Sequence, residues 1–189
     1  MLPLYLDQLS KERRQVFTRL KAFSDYILAG GTAIMLQTGD RASYDFDCFS
    51  EKSISKYLLV KVKEVFGQDV LLQIETSDMI LIKTNSIPIF NLDDLAANKA
   101  FTIGRRGVWR DYVDIFLFLK RKKYSIKDLI KLAERKFGGE FNEKLFLGQL
   151  TYFDDIKIVP TVFLKEKYSD EEIKSYLEKE VSAYIKSRI

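Results

Sequence analysis

The hydrophobic periodicity of this 189-residue chain changes near Asn91, and that change constrains its fold more than any other feature. Before Asn91, short apolar runs alternate with turn residues, a pattern typical of strands and short helices. From Asn91 onward, apolar residues recur largely at helical spacing. We therefore predict an α+β fold class, with a small mixed α/β core over residues 1–90 and a helical C-terminal region over residues 91–189 packed on that core.

Individual elements follow from the spacing of apolar, glycine and capping residues. The predicted strands cover residues 26–29 and 45–49, a hairpin at 70–76 and 79–84, and an edge strand at 87–90. The edge position is assigned because Pro88 has no backbone N–H to donate to a neighbouring strand. The predicted helices cover residues 4–23, 32–38, 53–66, 92–104, 108–122, 126–137, 142–152 and 170–187.

Composition excludes several kinds of chemistry. The chain contains no histidine, which excludes Ser-His-Asp catalysis, histidine acid–base catalysis and most zinc sites. Its one cysteine, Cys48, excludes an internal disulfide framework, and we expect it to face the core rather than act as a nucleophile. Neither a signal peptide nor a membrane-spanning stretch is recognisable, so a cytoplasmic protein without a membrane partner is expected.

The positive charge of the chain is concentrated in its middle. The formal net charge is +4, and residues 99–144 contain 13 Lys and Arg against 6 Asp and Glu. Such an excess suits a polyanionic partner, either a triphosphate or a nucleic acid. The alternative is a set of solvated helix faces, which is the favoured interpretation for the basic run at residues 120–123 taken alone.

Two glycines followed by two aspartates indicate a site for a phosphate and a metal ion. Gly30 and Gly31 allow the backbone to approach an anion, and a helix that begins at Gly31 or Thr32 would point its first N–H groups at phosphate. Side chains alternate along a strand, so Asp45 and Asp47 are expected to face the same way. Two such carboxylates repel each other but bind divalent cations well. The pattern predicts a Mg²⁺-dependent nucleotide site.

An ordinary strand-to-helix turn and a solvated edge strand would explain either half of this pattern alone. The two halves are joined by a loop that carries Arg41 and Ser43, two further side chains suited to phosphate. The combination favours the nucleotide site.

These segments resemble the nucleotidyltransferase superfamily, and specifically the AbiEii/AbiGii toxin family. The first block is LAGGTAIMLQ at residues 28–37 with RASYDFDCF at residues 41–49. The second block is DLAANK at residues 94–99, then Arg105 and Arg106, then RDYVDIFLFL at residues 110–119. A weaker similarity covers LTYFDD at residues 150–155 with Pro160.

The resemblance implies a nucleotidyltransferase-like fold and a metal-dependent transfer of a nucleoside monophosphate from an NTP to an acceptor. By position, Gly30, Gly31 and Thr32 would hold the triphosphate, and Asp45 and Asp47 would hold Mg²⁺ or Mn²⁺. The family acts in toxin–antitoxin and phage-defence systems, with tRNA among the reported acceptors. The implied partners are therefore an NTP, a tRNA or protein acceptor, and a cognate toxin or antitoxin.

In the second block, Lys99 and Asp111 are predicted catalytic residues, and Arg110 and Asp114 are predicted to contact substrate. Lys99 would reach a phosphate or the acceptor, and Arg41 would help neutralise the leaving pyrophosphate. Asp111 and Asp114 are three residues apart and share a helix face, so one of them would orient or deprotonate an acceptor hydroxyl. Helix salt bridges are the alternative explanation for these charged residues.

One departure from the superfamily pattern concerns the third carboxylate that usually follows the Asp-x-Asp strand. Glu75 is the candidate for that third metal ligand. If Glu75 points elsewhere, metal binding would rest on Asp45 and Asp47 alone. The alternative functions are therefore a catalytically weak protein that binds nucleotide or RNA, and a partner-binding component of a toxin–antitoxin pair.

Overall fold

The protein contains two compact units. A computed structural model describes residues 3–50, 55–67, 81–82, 87–103 and 105–188. The first unit comprises Met1–Gly39 and Ser43–Leu92, and the second comprises Asp40–Ala42 and Asp93–Ile189. Helices and a mixed sheet occur together, so the predicted α+β class is confirmed.

A small mixed sheet forms the centre of the first unit. Its strands lie side by side in the order β2-β1-β4-β3. Strand β1 pairs antiparallel with β2, which places Ala29 opposite Asp47, and parallel with β4, which places Leu28 opposite Ile89. The strands are β1 (Ile27–Ala29), β2 (Asp47–Phe49), β3 (Leu81–Ile82) and β4 (Ile89–Phe90).

The position of β4 corrects one prediction. Residues 87–90 were expected at a sheet edge, but in the described sheet β4 lies between β1 and β3. Pro88 precedes the two paired residues of β4, and its carbonyl accepts a hydrogen bond of 2.8 Å from the backbone N–H of Leu28. The missing proline N–H therefore leaves no gap in the pairing.

The described part of the first unit also contains three α-helices. In place of one opening helix over residues 4–23, the structure has α1 between two 3₁₀ turns, at Leu6–Gln8 and Leu20–Phe23. The break before α1 has a local cause, because the hydroxyl of Ser10 accepts a hydrogen bond from the backbone N–H of Arg13 and starts the helix there. The helices are α1 (Lys11–Arg19), α2 (Gly30–Thr38) and α3 (Leu58–Phe66).

The second unit is mainly helical, with α5 as its most buried element. Every residue of α5 from Asp111 to Leu119 is buried, which places two aspartates in the interior of the unit. Helices α6 and α8 begin with capping boxes, at Ser125 and Ser169. The helices are α4 (Leu92–Ile103), α5 (Trp109–Lys120), α6 (Ile126–Phe137), α7 (Glu143–Leu150) and α8 (Asp170–Lys186).

A three-residue segment from the first half of the sequence belongs to the second unit. In Asp40–Ala42, Arg41 forms an antiparallel bridge with Phe163. The backbone N–H of Ala42 donates to the carbonyl of Val162 at 2.8 Å, and the N–H of Leu164 donates to the carbonyl of Asp40 at 2.9 Å. These bonds fix the backbone of Arg41 within the second unit.

No helix in the described ranges has the length and apolar character needed to cross a membrane.

Candidate functional site

The glycine turn joins β1 directly to α2 in the first unit. Helix α2 begins at Gly30, one or two residues earlier than predicted, and Ala29 is its N-cap. Alanine supplies no side-chain acceptor, so the N-cap residue does not cap the first N–H groups of α2. An uncapped N-terminus of this kind carries the positive end of the helix dipole, which favours an anion there.

Asp47 lies directly against the start of this helix. Gly30 has φ +63°, and its Cβ position, if it had one, would be occupied by the carboxylate of Asp47. Glycine is thus needed at position 30 both for its backbone conformation and for the close approach of Asp47. The pairing of Ala29 with Asp47 across β1 and β2 sets this approach.

Asp45 is held at the same turn through Thr32. The buried hydroxyl of Thr32 donates a short hydrogen bond to the backbone carbonyl of Asp45. Asp45 precedes β2, which begins at Asp47, so the predicted strand over residues 45–49 was two residues too long and strand alternation does not orient Asp45. Both aspartates are exposed. The structure therefore brings Gly30, Thr32, Asp45 and Asp47 together.

The carboxylates of Asp45 and Asp47 fit a hard divalent cation such as Mg²⁺, since Mg²⁺ prefers oxygen ligands and commonly uses one or two carboxylates with substrate phosphates. The third predicted ligand, Glu75, lies outside the described residues. Within the ranges that are described, no group of three or more Asp, Glu, Cys or His side chains is arranged to hold a metal ion.

Two other residues of this segment, Ser43 and Cys48, are in environments that do not favour reactivity. Ser43 is buried, and its backbone N–H contacts the sulfur of Met35 at 3.4 Å. Cys48 is half-buried, and burial together with the charge of Asp47 raises the pKa of its thiol to about 12. The Cys48 thiol is therefore protonated at neutral pH and is a poor nucleophile.

Arg13 on α1 also enters this site, and the sequence analysis missed it. One guanidinium nitrogen of Arg13 lies 3.5 Å from the hydroxyl of Thr32. The guanidinium carbon lies 5.6 Å from the ring centroid of Tyr44 and 5.0 Å from that of Phe46. A signal was present, because Arg13 occupies a position on the apolar stripe of α1, four residues before the buried Phe17.

A second set of predicted residues forms a buried ion-pair network in the second unit. Asp114 accepts two hydrogen bonds of 2.7 Å from Arg41 and one ion-pair contact of 2.9 Å from Lys99. Asp111 accepts from the ammonium of Lys99 and, at 2.9 Å, from the Nε of Arg106. The network therefore surrounds two carboxylates with three cations.

Four of the five residues in this network are buried. Arg41, Lys99, Asp111 and Asp114 are all buried, whereas the side chain of Arg106 is 56% exposed. The predicted residue Arg110 is also exposed. Asp111 and Asp114 do share one face of α5, as their spacing predicted.

The charges in the network hold one another in the ionised state. Burial alone would raise the pKa of Asp114, but the charges of Arg41 and Lys99 outweigh it and the pKa is lowered. Burial likewise opposes the charged form of Lys99, yet Asp114 and Asp111 raise its pKa. The ammonium of Lys99 is thus occupied by two carboxylates, an arrangement that matches the salt-bridge alternative. The catalytic roles of Lys99 and Asp111 beside Asp45 and Asp47 stay a prediction.

Comparisons with known proteins give one distant similarity. The chain is 24% identical over 212 residues to an uncharacterized protein of Aquifex aeolicus (strain VF5), aq_aa25, in an alignment that covers 95% of this chain and 99% of the relative. No protein-family model matches the chain. No solved structure matches it either.

Proposed function

We propose that this protein is a metal-dependent nucleotidyltransferase that moves a nucleoside monophosphate from an NTP to an RNA or protein acceptor. The observation that carries the proposal is the contact between Gly30 and Asp47 at the uncapped start of α2. Close approach at a positive-φ glycine places a carboxylate beside N–H groups that favour phosphate. A bound metal ion would let the carboxylate and the phosphate share this position without repulsion.

In such a reaction, the residues of the first unit would have two roles, phosphate binding and metal binding. The backbone N–H groups from Gly30 to Thr32 would bind phosphate oxygens, and Asp45 and Asp47 would hold Mg²⁺ or Mn²⁺. When bound, the metal would supply charge neutralisation at the phosphates. Transfer at phosphorus needs alignment and charge stabilisation more than covalent help, which suits a site without histidine.

The second candidate is a protein that binds nucleotide or RNA without turnover. The state of Lys99 favours it, because two carboxylates already occupy an ammonium that transfer would use on a phosphate or an acceptor. In either case, a cognate toxin or antitoxin is the partner to be sought.

The test is a transfer reaction with each NTP labelled at the α-phosphate, in the presence of Mg²⁺ or Mn²⁺, total RNA and cell lysate. Label on RNA or protein with the wild type, and none with Asp45→Ala/Asp47→Ala, is the expected result. The matched control is Asp154→Ala/Asp155→Ala, which removes two exposed aspartates elsewhere in the chain and is expected to keep full transfer. Binding of NTP without transfer would support the second candidate, and neither binding nor transfer would contradict both.

A further inference from the structure

Arg13 is a cation whose guanidinium lies against two aromatic rings. Its guanidinium faces Tyr44 and Phe46, and its helix is started one turn earlier by Ser10. Aromatic faces attract a guanidinium but leave its N–H groups without acceptors. The side chain is therefore held by contacts that leave its Nε–H without an acceptor among the described residues.

The hydrogen bonds of Arg13 are few. Its hydrogen bond to the hydroxyl of Thr32 is long at 3.5 Å. Its Nε is inaccessible to solvent and has no acceptor among the described residues. An unsatisfied buried donor is unfavourable, and more so when it is charged. Such a cost is removed when an anion binds.

Arg41 and Lys99 differ from Arg13 in this respect. Both were expected to act on phosphate. In the structure, Arg41 donates two hydrogen bonds to Asp114, and Lys99 contacts both Asp111 and Asp114. Burial lowers the pKa of Arg13, and the opposing effect of the nearby Tyr44 and Asp45 is smaller. An arginine remains charged under these conditions, so Arg13 brings a positive charge to the turn at Thr32.

We propose that Arg13 binds the terminal phosphates of the nucleotide and makes the site selective for triphosphates over monophosphates. This inference rests on the proposed function of the Gly30–Thr32 turn. The guanidinium contacts Thr32, within the turn that would bind phosphate, and its planar fork suits two phosphate oxygens at once. A nucleoside monophosphate lacks the outer phosphates and so gains nothing from this contact.

The test is isothermal calorimetry with Mg²⁺ and each of the four NTPs, their monophosphates and inorganic tripolyphosphate. For Arg13→Gln we expect the affinity for the preferred NTP and for tripolyphosphate to fall at least tenfold, and the affinity for the monophosphate to stay within threefold. The NTP affinity of Arg13→Lys is expected to lie between those of the wild type and Arg13→Gln, because an ammonium retains the charge but lacks the planar fork of a guanidinium. The matched control is Arg14→Gln, which is expected to bind nucleotides like the wild type. Among the described residues, the exposed guanidinium of Arg14 contacts only the carbonyl of Leu6.

Each outcome is decisive. If Arg13→Gln weakens NTP and monophosphate equally, Arg13 acts only by supporting Thr32 and the proposal is wrong. If Arg13→Gln and Arg13→Lys behave like Arg14→Gln, Arg13 has no role in binding and only this inference fails. If the wild type binds no nucleotide, the proposed function fails together with the inference. Thermal unfolding of each variant shows whether a loss of binding reflects a loss of folding.

Discussion

Replacing Asp114 by asparagine is expected to destabilise the protein by about 3–5 kcal/mol, the cost of removing one partner from a buried ion pair. Asp114 accepts three charge-assisted contacts, two from Arg41 and one from Lys99. An asparagine retains one acceptor oxygen, but it turns an N–H donor toward a cation. Arg41 is 3% exposed, so water cannot replace the lost oxygen.

The size of the effect is limited by the neighbouring residues. Three charge-assisted bonds at about 1.5–3 kcal/mol each would exceed the expected loss. Asparagine keeps one of them, and Lys99 keeps its contact with Asp111, which together reduce the loss to the stated range. For a chain of this length, 1 kcal/mol changes Tm by about 2–4 °C, so we expect Tm to fall by about 6–20 °C.

The assay is reversible unfolding in urea and by heat, followed by circular dichroism at neutral pH. Asp154→Asn, an exposed substitution in the same unit, is the control and is expected to change stability by less than about 0.5 kcal/mol. The double variant Arg41→Met/Asp114→Leu removes both the cation and the carboxylate of this pair. Because it leaves no unpaired buried guanidinium at position 41, it is expected to be more stable than Asp114→Asn. A loss below about 1 kcal/mol for Asp114→Asn would refute the reasoning.

Three further predictions concern other features of the structure. Because the pKa of Asp114 is lowered in the folded state, ionised Asp114 stabilises the fold fully above the unfolded-state pKa near 3.9. This stabilisation is lost as the pH falls below that value, so wild type and Asp114→Asn should converge in stability during acid titration. Gly30→Ala is expected to displace the Asp47 carboxylate and to weaken NTP binding at least tenfold in calorimetry. Gly139→Ala should bind normally, because its new Cβ would meet no described atom within 4 Å apart from its own chain neighbours. Cys48 is expected to react with a disulfide reagent at pH 7.5 at least tenfold more slowly than a free thiol, and a rate equal to that of glutathione would contradict its raised pKa of about 12.

Helices with capping signals were predictable, and long-range pairing was not. Helix α6 has its predicted bounds because Ser125 and Gly138 mark both ends in the sequence. The predicted helix over residues 4–23 failed because apolar spacing continues through 3₁₀ turns, while Ser10, a recognisable cap, was overlooked. The edge position of residues 87–90 failed because the order of strands depends on partners that are distant in sequence.

The candidate site shows the same division. The association of Gly30, Thr32, Asp45 and Asp47 was predictable because one short motif contains all four. The ion pair of Arg41 with Asp114 spans 73 residues, and nothing in the local pattern of either segment indicates it. The location of Arg13 was hidden for a related reason, since a cation on an apolar helix face indicates an unusual environment without identifying its neighbours.

The second unit is not a continuous stretch of polypeptide, and this affects how the chain can be divided. A fragment beginning at residue 93 would contain Asp114 but not Arg41, and would expose a carboxylate that has its best partner in Asp40–Ala42. During synthesis, Arg41 leaves the ribosome before α5 is made, so its ion pair with Asp114 cannot form until that helix has been synthesised. After recombination between homologous genes at a single crossover near residue 92, Arg41 and Asp114 would come from different parents. Chimaeras that retain a stable second unit would have to inherit Asp40–Ala42 and the C-terminal helices from the same parent.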